Sequence, residues 1–194
     1  MKLYVQHQEQ YSRGELLLRT FFGLFYIGIP HLFVLTFISI GASFMSFLAF
    51  FVCLFGKPFP RAWFDFIVNM YRWQLRVNAS LYNLVDGYPP FGMDGDWDKT
   101  KLDIEYPDSF PPGRVLLVVF LGGFYAALPH IIALYGRLIA SAVVAFVAWW
   151  AVLFTGRYPE RMHAFNVGTL RWSQRLAFYL LFMSFEYPPF SGKE

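Results

Sequence analysis

"FYIGIPHLFVL" (Phe25–Leu35) returns as "FYAALPHIIAL" (Phe124–Leu134), and the same offset of 99 residues aligns the rest of the chain without a gap. "GELLL" meets "GRVLL", "RWQLR" (Arg72–Arg76) meets "RWSQR" (Arg171–Arg175), and "YPPF" (Tyr88–Phe91) meets "YPPF" (Tyr187–Phe190). Roughly 27 identities spread over about 95 aligned positions are the signature of a tandem duplication. The chain therefore reads as a first module over residues 1–95 and a second over 100–194. Whatever it folds into must be buildable from two copies of one unit.

The unit is greasy. Of 194 residues, 57% are hydrophobic and 22% aromatic, and only 15% are charged. A soluble domain carries about a quarter charged residues, and a core of this size cannot hide so many rings. Lipid is the natural solvent for the excess. A net charge of +3 is too small to argue for nucleic acid, and no motif reads bases. The polar N-terminus lacks the short apolar segment and small-residue cleavage site of a signal peptide.

Leu16–Phe55 carries one charge, Arg19, and Val115–Phe154 carries one, Arg137. A spanning helix needs about 20 apolar residues, so each stretch is long enough for two. "SIGAS" (Ser39–Ser43) and "YGR" (Tyr135–Arg137) stand where the turns would fall. The expected fold is an all-α integral membrane protein of two modules, each a transmembrane helical hairpin followed by an amphipathic helix. "KLYVQH" and "KLDIEY" alternate like short strands before each hairpin and could pair across the duplication. "GKPFPR" and "TGRYPER" break the chain after the hairpins, and "YPPF" is expected to end each amphipathic helix. Basic residues cluster away from the hairpin turns, which puts both termini in the cytoplasm. Two modules of like orientation imply a pseudo-twofold along the membrane normal.

In the amphipathic segments Arg72 and Arg76 share a helix face, as do Arg171 and Arg175. A basic stripe among Trp73, Trp172 and other rings suits the interface plane, which assigns Arg72, Trp73, Arg76, Arg171, Trp172 and Arg175 to lipid headgroups. The alternative is that these helices pack as a cap on the bundle.

Pro30 and Pro129 lack an N–H and free the carbonyls of Tyr26 and Tyr125. In lipid a freed carbonyl must find a protein partner. Gly23, Tyr26, Pro30 and His31 share an arc, repeated by Gly122, Tyr125, Pro129 and His130. These faces are expected to meet at the centre, with both histidines near the pseudo-twofold. A packing kink, a lipid or solute contact, and a metal or haem site all remain open for the pair. Every Asp and Glu lies outside the expected spans, so a proton relay lacks its carboxylate.

"DGDWDKTKLDIE" (Asp94–Glu105) spaces acids like a calcium loop, but Lys99 stands where such loops need glycine. It reads as a solvated linker. Cys53 is alone and reads as a small buried hydrophobe. There is no phosphate loop, no nucleophile–His motif and no paired catalytic carboxylates, so the expectation is a non-enzyme without cofactor or metal.

At "LFTGRYPERMHAFNVGTLRWSQRLAFYLLFMSFEYPPF" (Leu153–Phe190) the chain resembles a large bacterial membrane family known only as a domain of unknown function. "FTGRYP", "RW…R" and a terminal "YPPF" after a "PH" helix carry the resemblance; the first copy has "FGKPFP" and "DGYPPF" instead. The resemblance implies a bacterial cytoplasmic membrane and assigns no activity. The combined expectation is an accessory or scaffold subunit of a larger membrane complex, with other membrane subunits, a second copy or lipids as partners. A small lipid- or solute-handling protein is the alternative.

Overall fold

A computed structural model describes residues 1–193. Strand β1 (Lys2–Val5) leads to a long helix α1 (Arg13–Leu54), then to α2 (Arg61–Leu81). The second copy follows as β2 (Thr100–Asp103), α3 (Pro112–Leu121), α4 (Gly123–Thr155) and α5 (Glu160–Leu180). Gly122 between α3 and α4 keeps helical angles (φ −56°, ψ −31°), so the two run on as one helix. By length and composition, α1 and α4 could each cross a membrane.

The two expected hairpins are not formed. Ser39–Ser43 and Tyr135–Arg137 are continuous helix. The reason is local. Neither Gly41 nor Gly136 adopts a positive φ, and a lone glycine costs a helix only about 1 kcal/mol. Nor do the hydroxyls call for a turn, because Ser39 donates to the Thr36 carbonyl and Ser43 to that of Ser39, both at 2.8 Å. Polar side chains that bond back to their own helix need no other partner. At 1.5 Å per residue α1 is roughly 63 Å long.

What interrupts the long helices is a π-helical turn before each Pro-His: Leu24–Gly28 in α1 and Gly123–Ala127 in α4. The wider turn fits a proline that cannot donate in the usual ladder. The next two helices begin after Pro60 and Pro159. They end earlier than "YPPF" would have stopped them, at Leu81 and Leu180, where Asn83 (φ 55°) and Phe182 (φ 46°) turn the chain left-handed.

The strands do pair across the duplication. Leu3 lies opposite Leu102, flanked by Tyr4↔Lys101 and Lys2↔Asp103. Since Leu102 is the repeat equivalent of Leu3, the pseudo-twofold runs through that pair.

Contacts between the long helices are reciprocal. Trp149, near the end of α4, donates to Thr20, near the start of α1, at 2.8 Å. Phe50, near the end of α1, meets the ring of Phe120 in α3 at 6.1 Å. Two rods running side by side along a twofold axis hold their starts at one height and cannot touch start to end. The long helices therefore lie across the pseudo-twofold and not along it, contrary to the expected parallel bundle.

Each long helix is covered on one face only. His31, Leu35, Ala42, Ser46, Ala49 and Cys53 are its buried seam after the π turn. Ile29, Phe33, Phe37, Ile40, Phe44, Phe47, Phe51 and Phe55 are exposed, between 44% and 84%. At 100° per residue those eight occupy an arc of about 80° opposite the seam. In α4 the exposed face holds Ile132, Tyr135, Ile139, Val143, Phe146 and Phe154. α2 and α5 cover the seams, and the two-stranded sheet lies over their mid-length: Arg72 in α2 donates to the Leu102 carbonyl at 2.9 Å, and Arg171 in α5 to that of Leu3 at 2.9 Å.

Candidate functional site

Both Pro-His motifs build the same node. Trp73 Nε1 donates to His31 Nδ1 at 2.8 Å, and Trp172 Nε1 donates to His130 Nδ1 at 2.8 Å. An indole N–H can only donate, so each Nδ1 is an acceptor and the neutral ring carries its proton on Nε2. His31 Nε2–H then donates to the Tyr88 hydroxyl at 3.0 Å. Phe91 closes the first node at 4.8 Å from the His31 ring, and Phe190 stacks on His130 at 3.8 Å. With Tyr187 beside His130, its ring 5.4 Å away, the eight residues form four equivalent pairs, and two of the pairs come from "YPPF".

The freed carbonyl finds its partner in the second copy, where the Tyr187 hydroxyl donates to the Tyr125 carbonyl at 3.2 Å. Tyr125 also shares a 2.7 Å hydrogen bond with Tyr179. Having turned to Tyr125, Tyr187 leaves His130 Nε2 without a hydrogen bond among the described residues, a difference from His31.

Pro30, His31, Pro129 and His130 do sit at helix interruptions, but the two faces do not meet. The His31 contacts are Trp73, Tyr88 and Phe91, and the His130 contacts are Trp172, Tyr187 and Phe190, so each node is closed within its own repeat. The reason is steric: α2 and α5 each place an indole against the histidine and fill the seam.

The lipid-headgroup expectation fails for four residues. Trp73, Arg76, Arg171 and Trp172 are buried. Arg76 donates to the Gly92 and Gly95 carbonyls, and Arg171 Nη1 to the Gly192 carbonyl at 2.7 Å. Peptide carbonyls that follow each helix take Nη groups that phosphates were expected to take, while Arg76 Nε is buried without a hydrogen bond among the described residues. Arg72, with Asn69, Leu102 and Asp103, and Arg175, with the Lys193 carbonyl, stay partly exposed. α2 and α5 are thus caps, the alternative reading of the amphipathic segments.

Two polar clusters were not expected from the sequence, one inside the first repeat and one between the copies. In the first, Arg19 is buried and donates to Asp86 at 2.7 Å, Glu15 at 2.9 Å and Asn83 at 2.8 Å. In the second, His7, Tyr11, Tyr158 and His163 cluster, with the His7 and His163 rings 5.0 Å apart. Their equivalents Tyr106, Phe110, Phe59 and Phe64 pack as an aromatic cluster. One half is polar and its twin is oily. His163 Nε2 meets the Leu84 carbonyl at 3.1 Å, while burial and then the nearby His7 push its pKa down to about 4. Burial pushes Tyr11 up to about 12. Comparing the two copies position by position would have flagged both clusters.

Among the described residues no three His, Cys, Asp or Glu side chains are grouped to hold a metal. No curated protein and no solved structure matches the chain. One family matches it twice, over residues 14–92 and 119–192, which supports the tandem repeat. The chain belongs to that family, described as Domain of unknown function (DUF4389).

Proposed function

We propose that this protein is a non-enzymatic membrane scaffold that lies in one leaflet, its two long helices flat in the interface and their aromatic faces in the acyl chains. The observation that carries the reading is the geometry of the layers. An exposed stripe from Phe21 to Phe55 extends for roughly 51 Å along α1, against a hydrocarbon core of about 30 Å. The sheet and linker, with Lys2, Lys101, Asp94, Asp96 and Asp103, sit over the mid-length of α2 and hence of α1. If the long helices stood upright, these charges and the irregular backbone would lie near the bilayer midplane. Each charge there costs about 3 kcal/mol or more, and exposed loops are not tolerated in hydrocarbon. Lying flat puts every one of them in water and the exposed phenylalanines of the α1 stripe in lipid. The leaflet is the cytoplasmic one of a bacterial membrane, with both termini on that side. A rigid platform without reactive groups suits an accessory subunit or a self-assembling scaffold.

The test places single cysteines at Ser12 and Lys57, the two exposed ends of α1, in a Cys53→Ala background. Both should react with an impermeant thiol reagent from the cytoplasmic face only. Labelling from opposite faces would show that α1 spans, and the flat reading would be wrong. Mild-detergent purification from native membranes then asks for a stoichiometric protein partner or a homo-oligomer; a monomer with neither removes the scaffold role.

A further inference from the structure

We infer that the first repeat carries a site for the free hydroxyl of an uncharged lipid, in the cavity between α1 and α2. This rests on the membrane reading above and adds a specific ligand to it. The cavity has a volume of about 260 Å³ and is lined from α1 by Thr36, Ser39, Ser43 and Ser46, and from α2 by Tyr71 and Gln74. The rest of its wall is apolar, with Leu181, just past α5, contributed by the second repeat. No charged side chain lines it among the described residues. An apolar pocket with a few placed polar groups is the ordinary form of a small-molecule site. Without a charge it selects against a phosphate or carboxylate, which would lose its water there and gain no counter-ion.

The hydroxyls are set to accept. Thr36 donates to the Leu32 carbonyl at 2.7 Å, and Ser39 and Ser43 donate to those of Thr36 and Ser39, both at 2.8 Å. A hydroxyl has a single proton, so all three are spent inside the helix and only lone pairs are left for a ligand. Ser46 is the exception. It is 8% exposed, and its buried Oγ makes no hydrogen bond among the described residues. Native folds seldom leave a buried hydroxyl unpaired, and this one stands on the cavity wall. A row of acceptors with one free hydroxyl at its buried edge calls for a ligand that donates.

The place of the row on the helix fits a lipid. At 100° per residue the four hydroxyls keep to an arc of about 80°, between the apolar stripe and the buried seam. In the flat reading that is the height where acyl chains give way to headgroups. The opposite flank, with Val34, Ile38, Met45 and Leu48, has no hydroxyl. The second repeat is the internal control, because Tyr135, Leu138, Ala142 and Ala145 stand at the positions of Thr36, Ser39, Ser43 and Ser46. The duplicated chain carries the row in one copy only. A neutral lipid with one free hydroxyl, such as a diacylglycerol, sets its donor in the cavity and its chains over Leu32 and Phe33, both exposed.

The experiment follows thermal unfolding of the purified protein in an amine-oxide detergent, whose headgroup has no hydroxyl. Dioleoylglycerol, its acetyl ester, dioleoyl phosphatidic acid or glycerol is added to wild type and to the Ser43→Ala, Ser46→Ala double variant. Both substitutions install the residue of the twin position, and alanine is the best helix former. Dioleoylglycerol should raise the wild-type midpoint by about 3 °C or more, and the variant should lose most of that shift. No shift in the wild type, or an undiminished one in the variant, would overturn the site. An equal rise with the acetyl ester would show that the hydroxyl is not read, and one with phosphatidic acid that charge is not excluded; either overturns the ligand assignment. An equal rise with glycerol would make this a free-polyol site and overturn the lipid assignment. Flotation with phosphatidylcholine vesicles separates the two ideas: a wild type that floats but ignores dioleoylglycerol sinks the cavity alone, and one that fails to float sinks the membrane reading.

Discussion

The indole of Trp73 donates to Nδ1 of His31 at 2.8 Å inside the seam between α1 and α2. That bond fixes the imidazole as a neutral acceptor toward the cap helix and a donor toward Tyr88, and both rings are buried. The histidine is a packing device that lets a polar helix interruption be covered. His31→Leu should therefore leave a buried indole N–H without a partner, at a cost of about 1–3 kcal/mol. Adding Trp73→Phe to His31→Leu should cost less than the sum of the singles, by about 0.5 kcal/mol or more. Additive losses in detergent unfolding would mean the bond contributes nothing.

Arg19 and Asp86 offer a contrast in burial. The Arg19–Asp86 pair has side-chain exposures of 3% and 11%, whereas Arg61–Asp65 has 64% and 49%. Asp86→Ala leaves Arg19 with Glu15 and Asn83 and removes one charge-assisted hydrogen bond, so it should destabilise by about 1.5–3 kcal/mol. It also removes the acceptor for the Ser12 N–H. Asp65→Ala should cost less than about 1 kcal/mol. Equal midpoints for the two variants would refute the ranking.

His163 makes stability depend on pH. Its folded pKa of about 4 lies below the ordinary 6.5, so the fold holds it neutral while the unfolded chain protonates it first. The stabilisation is full above pH 6.5 and is lost as pH falls from 6.5 toward 4, by an amount on the order of 3 kcal/mol. His7, Tyr158 and the backbone of Leu84 and Gln6 face it. His163→Phe, which installs the residue of the twin position, should flatten that slope. Unfolding midpoints at pH 7 and 5 decide it; the same slope in the variant would place the titration elsewhere.

The aromatic stripe makes a prediction about partition. Phe37 and Phe44 are 61% exposed each and touch lipid in the flat reading. Phe37→Asp with Phe44→Asp removes about 1.5–3 kcal/mol of apolar burial per site and adds charges that prefer water. The double variant should shift from the membrane pellet toward the soluble fraction after alkaline washing. Leu35→Ala, in the buried seam, should lower stability by about 2–5 kcal/mol and leave the surviving folded protein in the membrane. Full retention of the Asp variant would argue that lipid does not cover this face.

Duplication, hydropathy and the punctuation by Pro and Gly are local properties, and they determined that this is a repeat protein of long apolar helices with strands that pair across the copies. Pro129 likewise implied a free carbonyl at Tyr125, and Tyr187 supplies its partner. Gly41 and Gly136 were expected to turn the chain, but a lone glycine costs a helix only about 1 kcal/mol, and both lie in continuous helix. Only the tertiary structure showed that each seam is filled by the cap helix of its own repeat. That packing closes the histidine nodes separately and sends Arg76 and Arg171 to backbone carbonyls. It also sets the long helices across the pseudo-twofold. Helical periodicity tells which residues share a face, but what covers that face depends on residues far along the chain. Hydropathy along one dimension cannot distinguish a helix that crosses a bilayer from one that lies on it, since both are apolar for their whole length. In the proposed reading the position of the charged sheet over the helix midpoints is what separates the two, and that position exists only in three dimensions.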